Sequence, residues 1–278
     1  MKHTNSDQNK KTEFDISKFK LIVFQPDKEF YEKTFAEKLV ILSEKIKQAK
    51  QFMEANFPGN KSLFVAPEYL FKNMSAKEDD SGRYYIEDRY YSHEQKKQYQ
   101  EILKDLSKDT DMILAPGTIC WGKSKQYRNM IYFFHQGEII HKYKKMNPHA
   151  LDYDYPSESP DNVDKSLFKK GESNTNTFNV NNMDIGVEVC LDTVMDQLAS
   201  DLGGNPNKKL NIHLVVADGV DYINPIQQEN LLFIKIEREK TKGQIVAILS
   251  DRSMSQQQSD TLPNNDGDDD LVVYHFKK

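Results

Sequence analysis

The stretch MDIGVEVCLD, residues 183–192, places a cysteine at the end of an apolar strand, just before a predicted helix. A backbone that turns from strand to helix here would expose the Cys190 side chain beside the first unpaired N–H groups of the helix. Such a place favours a thiolate and offers donors to an oxyanion. Free cysteine is also among the most buried residue types. From this stretch alone, Cys190 is therefore either a nucleophile or a small core residue.

Composition restricts the class of protein. The chain has 278 residues, enough to bury a full core without disulfides or a structural metal. A formal net charge of −5 argues against nucleic acid as a partner. A membrane partner is not expected either, because no run reaches the roughly 18 consecutive apolar residues of a span. The polar residues 2–11 do not resemble a signal peptide, and with only Cys120 and Cys190 present we expect a cytoplasmic, reducing context.

The order of predicted elements indicates a parallel or mixed α/β sheet. Residues 1–16 are polar and predict a disordered tail, and residues 17–278 contain no linker, which predicts a single domain. FKLIVF (19–24) predicts a buried strand, Asp27 is expected to cap one long helix that ends before Pro58, and SLFVA (62–66) predicts the next strand. Strand, helix and strand in this order favour α/β architecture.

The remaining elements follow the same alternation. Two polar loops, residues 72–92 and 146–164, are long enough to cover a functional edge. The other predictions are a helix at 94–108, a strand at 112–121, an antiparallel pair at 129–135 and 138–143, a hairpin at 175–180 and 183–189, a helix at 193–202, a strand at 210–217, a helix at 230–240, and final strands at 244–249 and 271–276.

Three chemically reactive side chains follow predicted strands. Glu68, Lys145 and Cys190 each stand where an apolar run ends, and catalytic groups of α/β sheets collect at such strand ends. The surrounding motifs are APEY (66–69), RN (128–129), GEII (137–140), YKK (143–145) and IGVEVCLD (185–192). Each motif is short, but their joint order and spacing are specific.

Together these motifs resemble the signatures of the nitrilase (carbon–nitrogen hydrolase) superfamily, whose triad is glutamate, lysine and cysteine in that order. The resemblance covers about residues 20–276 and implies a four-layer α-β-β-α sandwich with Glu68, Lys145 and Cys190 as the catalytic residues. It implies no metal and no organic cofactor. Members of this family commonly pair through their outer helices, so a homodimer or higher homo-oligomer is expected.

One departure from the family pattern concerns a second glutamate beyond the lysine. The stretch HALDYDY (149–155) contains none, so Asp152, Asp154 or Glu158 could take its place. With Tyr69, these acids are the candidate substrate-binding residues. The resemblance implies that the backbone N–H of Leu191 helps Lys145 to hold an oxyanion.

The chemistry implied is hydrolysis of a small-molecule amide through a thioester. Cys190 would attack the amide carbon, and Glu68 would carry protons to the departing amine and from the attacking water. The same triad could instead transfer the acyl group to an amine or hydrolyse an N-carbamoyl substrate. The missing glutamate, together with a C-terminal region that departs from the family pattern at Asp251, also leaves open a nitrilase-like binding module without catalysis. A cysteine protease that uses His213 is weakly supported, because His213 lies within a predicted interior strand.

Each candidate residue also has an ordinary structural explanation. Glu68 could be an exposed carboxylate after a strand, and Lys145 could belong to a solvated run of charges. Cys120 lies inside an apolar strand and is predicted to be a core residue. Glu188 alternates onto the face of Cys190. It could be a second carboxylate of the site, although an outward-facing residue on an edge strand is the favoured interpretation.

Overall fold

The computed structural model describes residues 14–76, 86–149, 152, 165–203, 208–223, 225–226, 228–248, 256–261 and 270–277. The strands are β1 (Phe19–Phe24), β2 (Lys61–Ala66), β3 (Met112–Pro116), β4 (Thr118–Lys123), β5 (Gln126–His135), β6 (Glu138–Lys144), β7 (Thr177–Val180), β8 (Met183–Val189), β9 (Ile212–Ala217), β10 (Leu231–Glu237), β11 (Gln244–Ile248), β12 (Gln256–Thr261) and β13 (Leu271–Lys277). The α-helices are α1 (Lys28–Glu32), α2 (Phe35–Asn56), α3 (Ile86–Arg89), α4 (His93–Leu106), α5 (Leu191–Val194) and α6 (Gln197–Gly203).

The strands form two sheets. Sheet A has the order β12-β13-β1-β2-β3-β5-β4. β3 and β4 pair with successive parts of β5, and β6 pairs with β5 along its opposite edge. Sheet B has the order β11-β10-β9-β8-β7. At the centre of each sheet, neighbouring strands run parallel: β1, β2 and β3 in sheet A, and β8, β9 and β10 in sheet B. Their carboxyl ends therefore lie at one edge of each sheet, which is where α/β proteins place their sites.

The layers follow from which face of each sheet is apolar. Leu42 and Ile46 of α2 pack on the outer face of sheet A with Phe64. The inner faces of the two sheets share a second cluster, in which Val65 and Val187 are fully buried. On the outer side of sheet B, leucines of α6 belong to a smaller cluster. The predicted four-layer α-β-β-α sandwich is confirmed.

The long helix predicted after β1 is two helices. Thr34 adopts an extended backbone and caps α2 through a capping box with Glu37, whereas the Asp27 side chain caps nothing within the described residues. The prediction of one helix from Asp27 was wrong because the capping signature Thr-x-x-Glu, at residues 34–37, starts a new helix inside the apolar pattern. The predicted end before Pro58 is confirmed, since α2 ends at Asn56.

The strand predicted at residues 112–121 is divided at Gly117. This glycine has a φ of +67°, and a Cβ at this position would lie 2.3 Å from the carbonyl oxygen of Pro67. Only glycine tolerates both constraints. The division matters because it lets the chain pass directly against the turn that carries Glu68.

Two further helix predictions were wrong in part or in full. Residues 230–240 were expected to be a helix, but β10 occupies residues 231–237, buried throughout between β9 and β11. The helix predicted at 193–202 is split into α5 and α6, with Asp196 between them at a φ of +51°.

Strand β12, in a polar stretch, was not predicted. The hairpin of β7 and β8 is confirmed, and Asn181 and Asn182 form its turn with positive φ.

Several predictions meet the limits of the described residues. Of the predicted tail, residues 1–13 lie outside them, while Ile16 belongs to a short 3-10 turn and is buried against the core. Residues 150–151 and 153–164, most of the second predicted loop, also lie outside. Among the described residues, no helix combines the length and apolar character needed to cross a bilayer.

Candidate active site

Glu68 is turned inward by the turn that follows β2. The next residue, Tyr69, has a φ of +57°, and its backbone N–H donates to the Thr118 hydroxyl at 2.8 Å. Positive φ is strained for a bulky residue and persists only where the surroundings enforce it. The turn packs against Gly117, and the Glu68 side chain is completely buried. The alternative of an exposed carboxylate is therefore excluded for Glu68.

Lys145 follows β6 and also points inward. Its backbone N–H donates to the Asn129 carbonyl at 3.0 Å, and its Nζ lies 2.8 Å from Glu68 Oε1 and 2.8 Å from Asp152 Oδ2. All three charged side chains are 0% exposed. Among the lysines of this run, Lys142 is exposed and Lys144 donates to a backbone carbonyl at the surface. The alternative that Lys145 belongs to a solvent-exposed run of charges is therefore excluded.

Asp152 completes the buried cluster. The Asn129 amide donates to Glu68 Oε1 at 2.8 Å and to Asp152 Oδ1 at 3.1 Å, so one side chain joins the two carboxylates. The Tyr69 hydroxyl donates to Asp152 Oδ1 at 2.9 Å, and the His149 backbone N–H donates to Oδ2 at 2.7 Å. The structure thus brings Asp152 to the lysine. Asp154 and Glu158, the other two candidate acids, lie outside the described residues.

Cys190 stands at the end of β8 in a strained conformation. Its φ is +51° and its ψ is −108°, an uncommon combination for a non-glycine residue that recurs at functional sites. Its backbone N–H donates to the Val216 carbonyl of β9 at 2.9 Å, which fixes the strand end. The residue is 7% exposed and opens the single helical turn α5. Cys120 is fully buried within β4, which confirms its prediction as a core residue.

The two carboxylates beside Lys145 titrate differently. Burial raises the pKa of Glu68 to about 7, although the Lys145 charge opposes this shift. Burial also acts to raise the pKa of Asp152, but the Lys145 charge and the hydrogen bonds to Asp152 outweigh it and hold this pKa below its usual value. Neighbouring groups with separated pKa values indicate separate acid and base roles. Asp152 stays ionised beside Lys145, whereas Glu68 can exchange a proton near neutral pH.

The lysine and the thiol respond to the same surroundings. Burial acts to lower the pKa of Lys145, but the charges of Asp152 and Glu68 more than offset it and raise this pKa well above its usual value. Burial, and then the Glu68 charge, raise the pKa of the Cys190 thiol, while Lys145 and the backbone N–H of Asp218 lower it. The resting thiol therefore keeps its proton and needs a base for its attack.

A second buried carboxylate, Asp192, connects the chain after Lys145 to the chain after Cys190. It accepts from the Tyr143 hydroxyl at 2.8 Å and from the Asn147 backbone N–H at 2.7 Å. Burial raises its pKa to about 6, against the lowering effect of these hydrogen bonds. We did not predict this role from the sequence. The available signal was an acid two residues beyond the cysteine, in the first helical turn.

A cavity of about 600 Å³ opens at Cys190. Glu68 Oε1 is used by Lys145 and Asn129, whereas Glu68 Oε2 has no hydrogen-bond partner among the described residues. Leu191 lines the cavity, and Tyr222 stands at its mouth with 74% exposure. Tyr69 does not line it and contacts Asp152 instead. The lining residues are His149, Cys190, Leu191, Thr193, Val194, Asp196, Asp218, Gly219, Val220, Asp221, Tyr222 and Ile223.

Glu188 and His213 lie apart from this cavity. Both are buried, and His213 Nε2 lies 2.8 Å from Glu188 Oε2. Glu188 Oε1 accepts from the Leu198 backbone N–H of α6 at 2.8 Å. The favoured prediction for Glu188, outward exposure on an edge strand, was wrong, because β8 lies between β7 and β9 and α6 covers this carboxylate. Neither residue lines the cavity at Cys190.

Asn129 and the segment 218–223 are, besides Asp192, parts of the site that the sequence did not identify as functional. Asn129 appeared only within a motif, and its contact with both carboxylates depends on residues far away in the chain. Within the described residues, no group of three or more His, Cys, Asp or Glu side chains is arranged to hold a metal ion.

Comparisons with known proteins show the family and the fold of the chain. The sequence profile of the family described as carbon–nitrogen hydrolase matches residues 41–219. A search of curated protein sequences gave no significant match. Similar solved structures include an amidase of the nitrilase superfamily from Nesterenkonia AN1 (13% identity, TM-score 0.58, covering 94% of this chain and 91% of that one). A carbon–nitrogen hydrolase from Helicobacter pylori G27 is similar too (13%, 0.58, 93% and 88%).

A third similar structure is the glutamine-dependent NAD⁺ synthetase from Acinetobacter baumannii (13% identity, TM-score 0.56, covering 94% of this chain). The present chain spans only 47% of that synthetase. At such identities the structural similarities concern the fold. The family profile, however, extends over more than half of the chain. The chain therefore belongs to the carbon–nitrogen hydrolase (nitrilase) superfamily.

Proposed function

We propose that the protein hydrolyses a non-peptide carbon–nitrogen bond, that of a small-molecule amide, through a thioester on Cys190. The observation that carries this proposal is the buried ion pair of Lys145 and Glu68, whose charged atoms lie 2.8 Å apart. The ion pair lies next to Cys190, which has a strained backbone and lines a cavity. Buried charges cost several kcal/mol each unless they are paired. A base, a cation and a nucleophile brought together in this way match the needs of acyl transfer.

In the first step, Glu68 takes the thiol proton as the Cys190 sulfur attacks the amide carbonyl carbon. The carbonyl oxygen becomes an oxyanion in the tetrahedral intermediate. The Lys145 ammonium and the backbone N–H of Leu191 would stabilise this charge, and each such donor contributes about 3 kcal/mol in comparable sites. The unpaired oxygen of Glu68, Oε2, supports this role as the proton acceptor.

In the second step, Glu68 returns the proton to the leaving amine as the carbon–nitrogen bond breaks. The acyl group then remains on Cys190 as a thioester. Glu68 next removes a proton from water, which attacks the thioester carbon, and the carboxylic acid leaves as the thiol is restored. A carboxyl group whose pKa lies near 7 is suited to act as base and acid in turn.

Asp152 takes the place of the second glutamate in this proposal. It contacts the Lys145 ammonium together with Glu68 and accepts from Asn129 and Tyr69. This pairing would keep Lys145 charged and oriented throughout the cycle. It also weakens one motivation for the inactive binding module, the missing second glutamate. Tyr69 would act through Asp152 and would not contact the substrate.

A neighbouring structure supports the covalent step. One structure of the Nesterenkonia amidase, a glutamate-to-glutamine variant, contains the acetamide moiety of fluoroacetamide added covalently at the active-site cysteine. By analogy, a small amide would reach Cys190 through the cavity of the present chain. Transfer to an amine and hydrolysis of N-carbamoyl groups use the same thioester chemistry and remain alternatives that differ only in the second substrate or the acyl group.

The test is a panel of small primary amides assayed for ammonia release. We expect turnover by the wild type, none by Cys190→Ala, and nearly unchanged turnover by Cys120→Ala, the matched control. Circular dichroism and thermal melting should show that both variants fold. Hydroxylamine added to the assay would divert the acyl group to a hydroxamate if amines compete with water. Turnover by a folded Cys190→Ala variant would contradict the proposal.

We also propose that the protein forms a homodimer or higher homo-oligomer, as the family resemblance implies. Analytical ultracentrifugation of the purified protein measures the mass directly. A species of the mass of one chain at all concentrations would contradict this expectation.

A further inference from the structure

Residues 218–223 form the wall of the cavity beside Cys190. They begin the connection between β9 and β10, two parallel strands that are direct neighbours. Parallel neighbours are usually joined by a helix, which satisfies its own backbone groups. The described residues of this connection form no helix, so the wall must find other partners for its N–H and C=O groups.

Two charged residues of β10 supply these partners. Glu237 accepts from the backbone N–H of Gly219 at 2.8 Å and from that of Val220 at 3.0 Å. Lys235 Nζ donates to the carbonyl of Val220 at 2.5 Å and to that of Asp221 at 2.7 Å. Residues two apart in a strand share one face, so both side chains reach the same segment. They therefore fix four backbone groups of the wall.

Stability alone does not explain the choice of these residues. The side chains of Lys235 and Glu237 are each 1% exposed, and their charged atoms lie 3.4 Å apart. A buried ion pair is often no more stable than apolar residues of similar volume. What apolar residues could not do is hold the backbone of an irregular segment in one conformation. The pair is thus suited to ordering the cavity wall.

The ordered wall reaches the nucleophile. Asp218 is its first residue and lines the cavity together with Cys190, and the backbone N–H of Asp218 acts to lower the pKa of the Cys190 thiol. The preceding strand end is joined to Cys190 through the Val216 carbonyl. Arg238, next to Glu237, lies 3.2 Å from the Asp218 carboxylate. A shift of the wall would therefore move a donor away from the sulfur.

We propose that Lys235 and Glu237 are positioning residues that hold the segment 218–223 against Cys190 and thereby set the reactivity of the thiol. This inference rests on the proposed role of Cys190 as the nucleophile. Neither residue contacts the reacting atoms. They act through the backbone of the wall.

The experiment uses full-length Lys235→Met and Glu237→Gln variants. A double variant, Lys235→Met with Glu237→Met, leaves no unpaired buried charge and so guards against unfolding of the single variants. The matched controls are Lys242→Met and Glu239→Gln, an exposed ion pair in the following turn that makes no hydrogen bond to the segment. Iodoacetamide labelling of Cys190 is followed by intact mass across pH, and hydrogen exchange is followed in a peptide that spans residues 218–223.

We expect the Lys235 and Glu237 variants to exchange the Gly219 and Val220 amides at least tenfold faster. Labelling of Cys190 at neutral pH should slow by about tenfold, the effect of one lost hydrogen bond to a charged group, and its pH profile should move to higher pH. The controls should match the wild type in both measurements. A purely structural role would change the amide exchange without moving the pH profile.

Unchanged exchange, or faster exchange with an unchanged labelling profile, would overturn the positioning role. Failure of the proposed function looks different. In that case iodoacetamide labels Cys190 slowly even in the wild type, and Glu68→Gln does not change the labelling rate. The positioning role would then be wrong as well. The exchange data would then report only whether the pair orders the segment.

Discussion

The Lys145 cluster and the Glu188–His213 pair are both buried and both contain contacts of 2.8 Å, but their surroundings differ. Lys145 lies at strand ends, beside a cysteine that opens onto a cavity, and Glu68 keeps one oxygen unpaired within the described residues. The Glu188 carboxylate lies within a strand, under α6, with both oxygens occupied. There the unpaired atom is Nδ1 of His213. Neither pair of residues lines the cavity, but Glu68 and Lys145 interact with the thiol of Cys190, which does line it.

The comparison teaches that burial of charge alone does not identify a catalytic site. Buried ion pairs occur wherever a fold must satisfy polar groups, and they are weak evidence for function. A base with an unpaired oxygen, next to a nucleophile on a cavity, is the more specific signal. Mutations that affect the two clusters differently would test this distinction.

The largest effect is expected for Lys145→Met. It leaves the carboxylates of Glu68 and Asp152 facing each other without a cation, so the free energy of unfolding should fall by about 3–5 kcal/mol and turnover should vanish. Urea denaturation and ammonia release measure the two quantities. Lys142→Met, at an exposed position of β6, the strand that precedes Lys145, is the control and should change neither. An active and fully stable Lys145→Met protein would contradict the account.

Glu68→Gln and Glu188→Gln form the next comparison, because each removes one buried carboxylate while keeping its shape. Glu68→Gln should lower turnover by 10²- to 10⁴-fold, roughly the contribution of general acid–base catalysis. Glu188→Gln should leave turnover within about threefold but lower the free energy of unfolding by about 1–3 kcal/mol, through its weakened contact with His213. Equal losses of turnover in the two variants would remove the distinction between the clusters.

Prediction from sequence succeeded where the signal was local. The strand ends that carry Glu68 and Cys190 follow short apolar runs and could be located from the sequence. β10 was wrongly predicted to be a helix, although LLFIKIE is an apolar run that also contains a lysine and a glutamate. The structure uses these charges to hold an irregular segment, a contact between distant parts of the chain that periodicity does not report.

The choice among the three acids was beyond sequence reasoning for a related reason. Asp152, Asp154 and Glu158 lie in one polar stretch without periodic pattern. Asp152 is selected by contacts with Asn129, Tyr69 and Lys145, which belong to separate elements. Such convergence follows from the packing of sheet A.

The smallest effect is expected for Tyr143→Phe. It removes one hydrogen bond to the buried Asp192, which connects the chain after Lys145 with α5. The free energy of unfolding should fall by about 1–2 kcal/mol and turnover by a few-fold, since the remaining hydrogen bonds hold Asp192 in place. Tyr274→Phe, a half-buried tyrosine of β13, is a suitable control. A loss as large as that of Glu68→Gln would assign Tyr143 a part in the chemistry.

The measurement that tests the triad most directly is the rate of iodoacetamide labelling of Cys190 across pH, in the wild type and in Glu68→Gln. Burial raises the pKa of Glu68 to about 7, so ionisation of this base should give the wild-type profile an inflection near pH 7. The inflection should be absent in Glu68→Gln, and Cys120, fully buried, should stay unlabelled in both. Identical profiles for the two proteins, or labelling of Cys120 as fast as that of Cys190, would contradict the account.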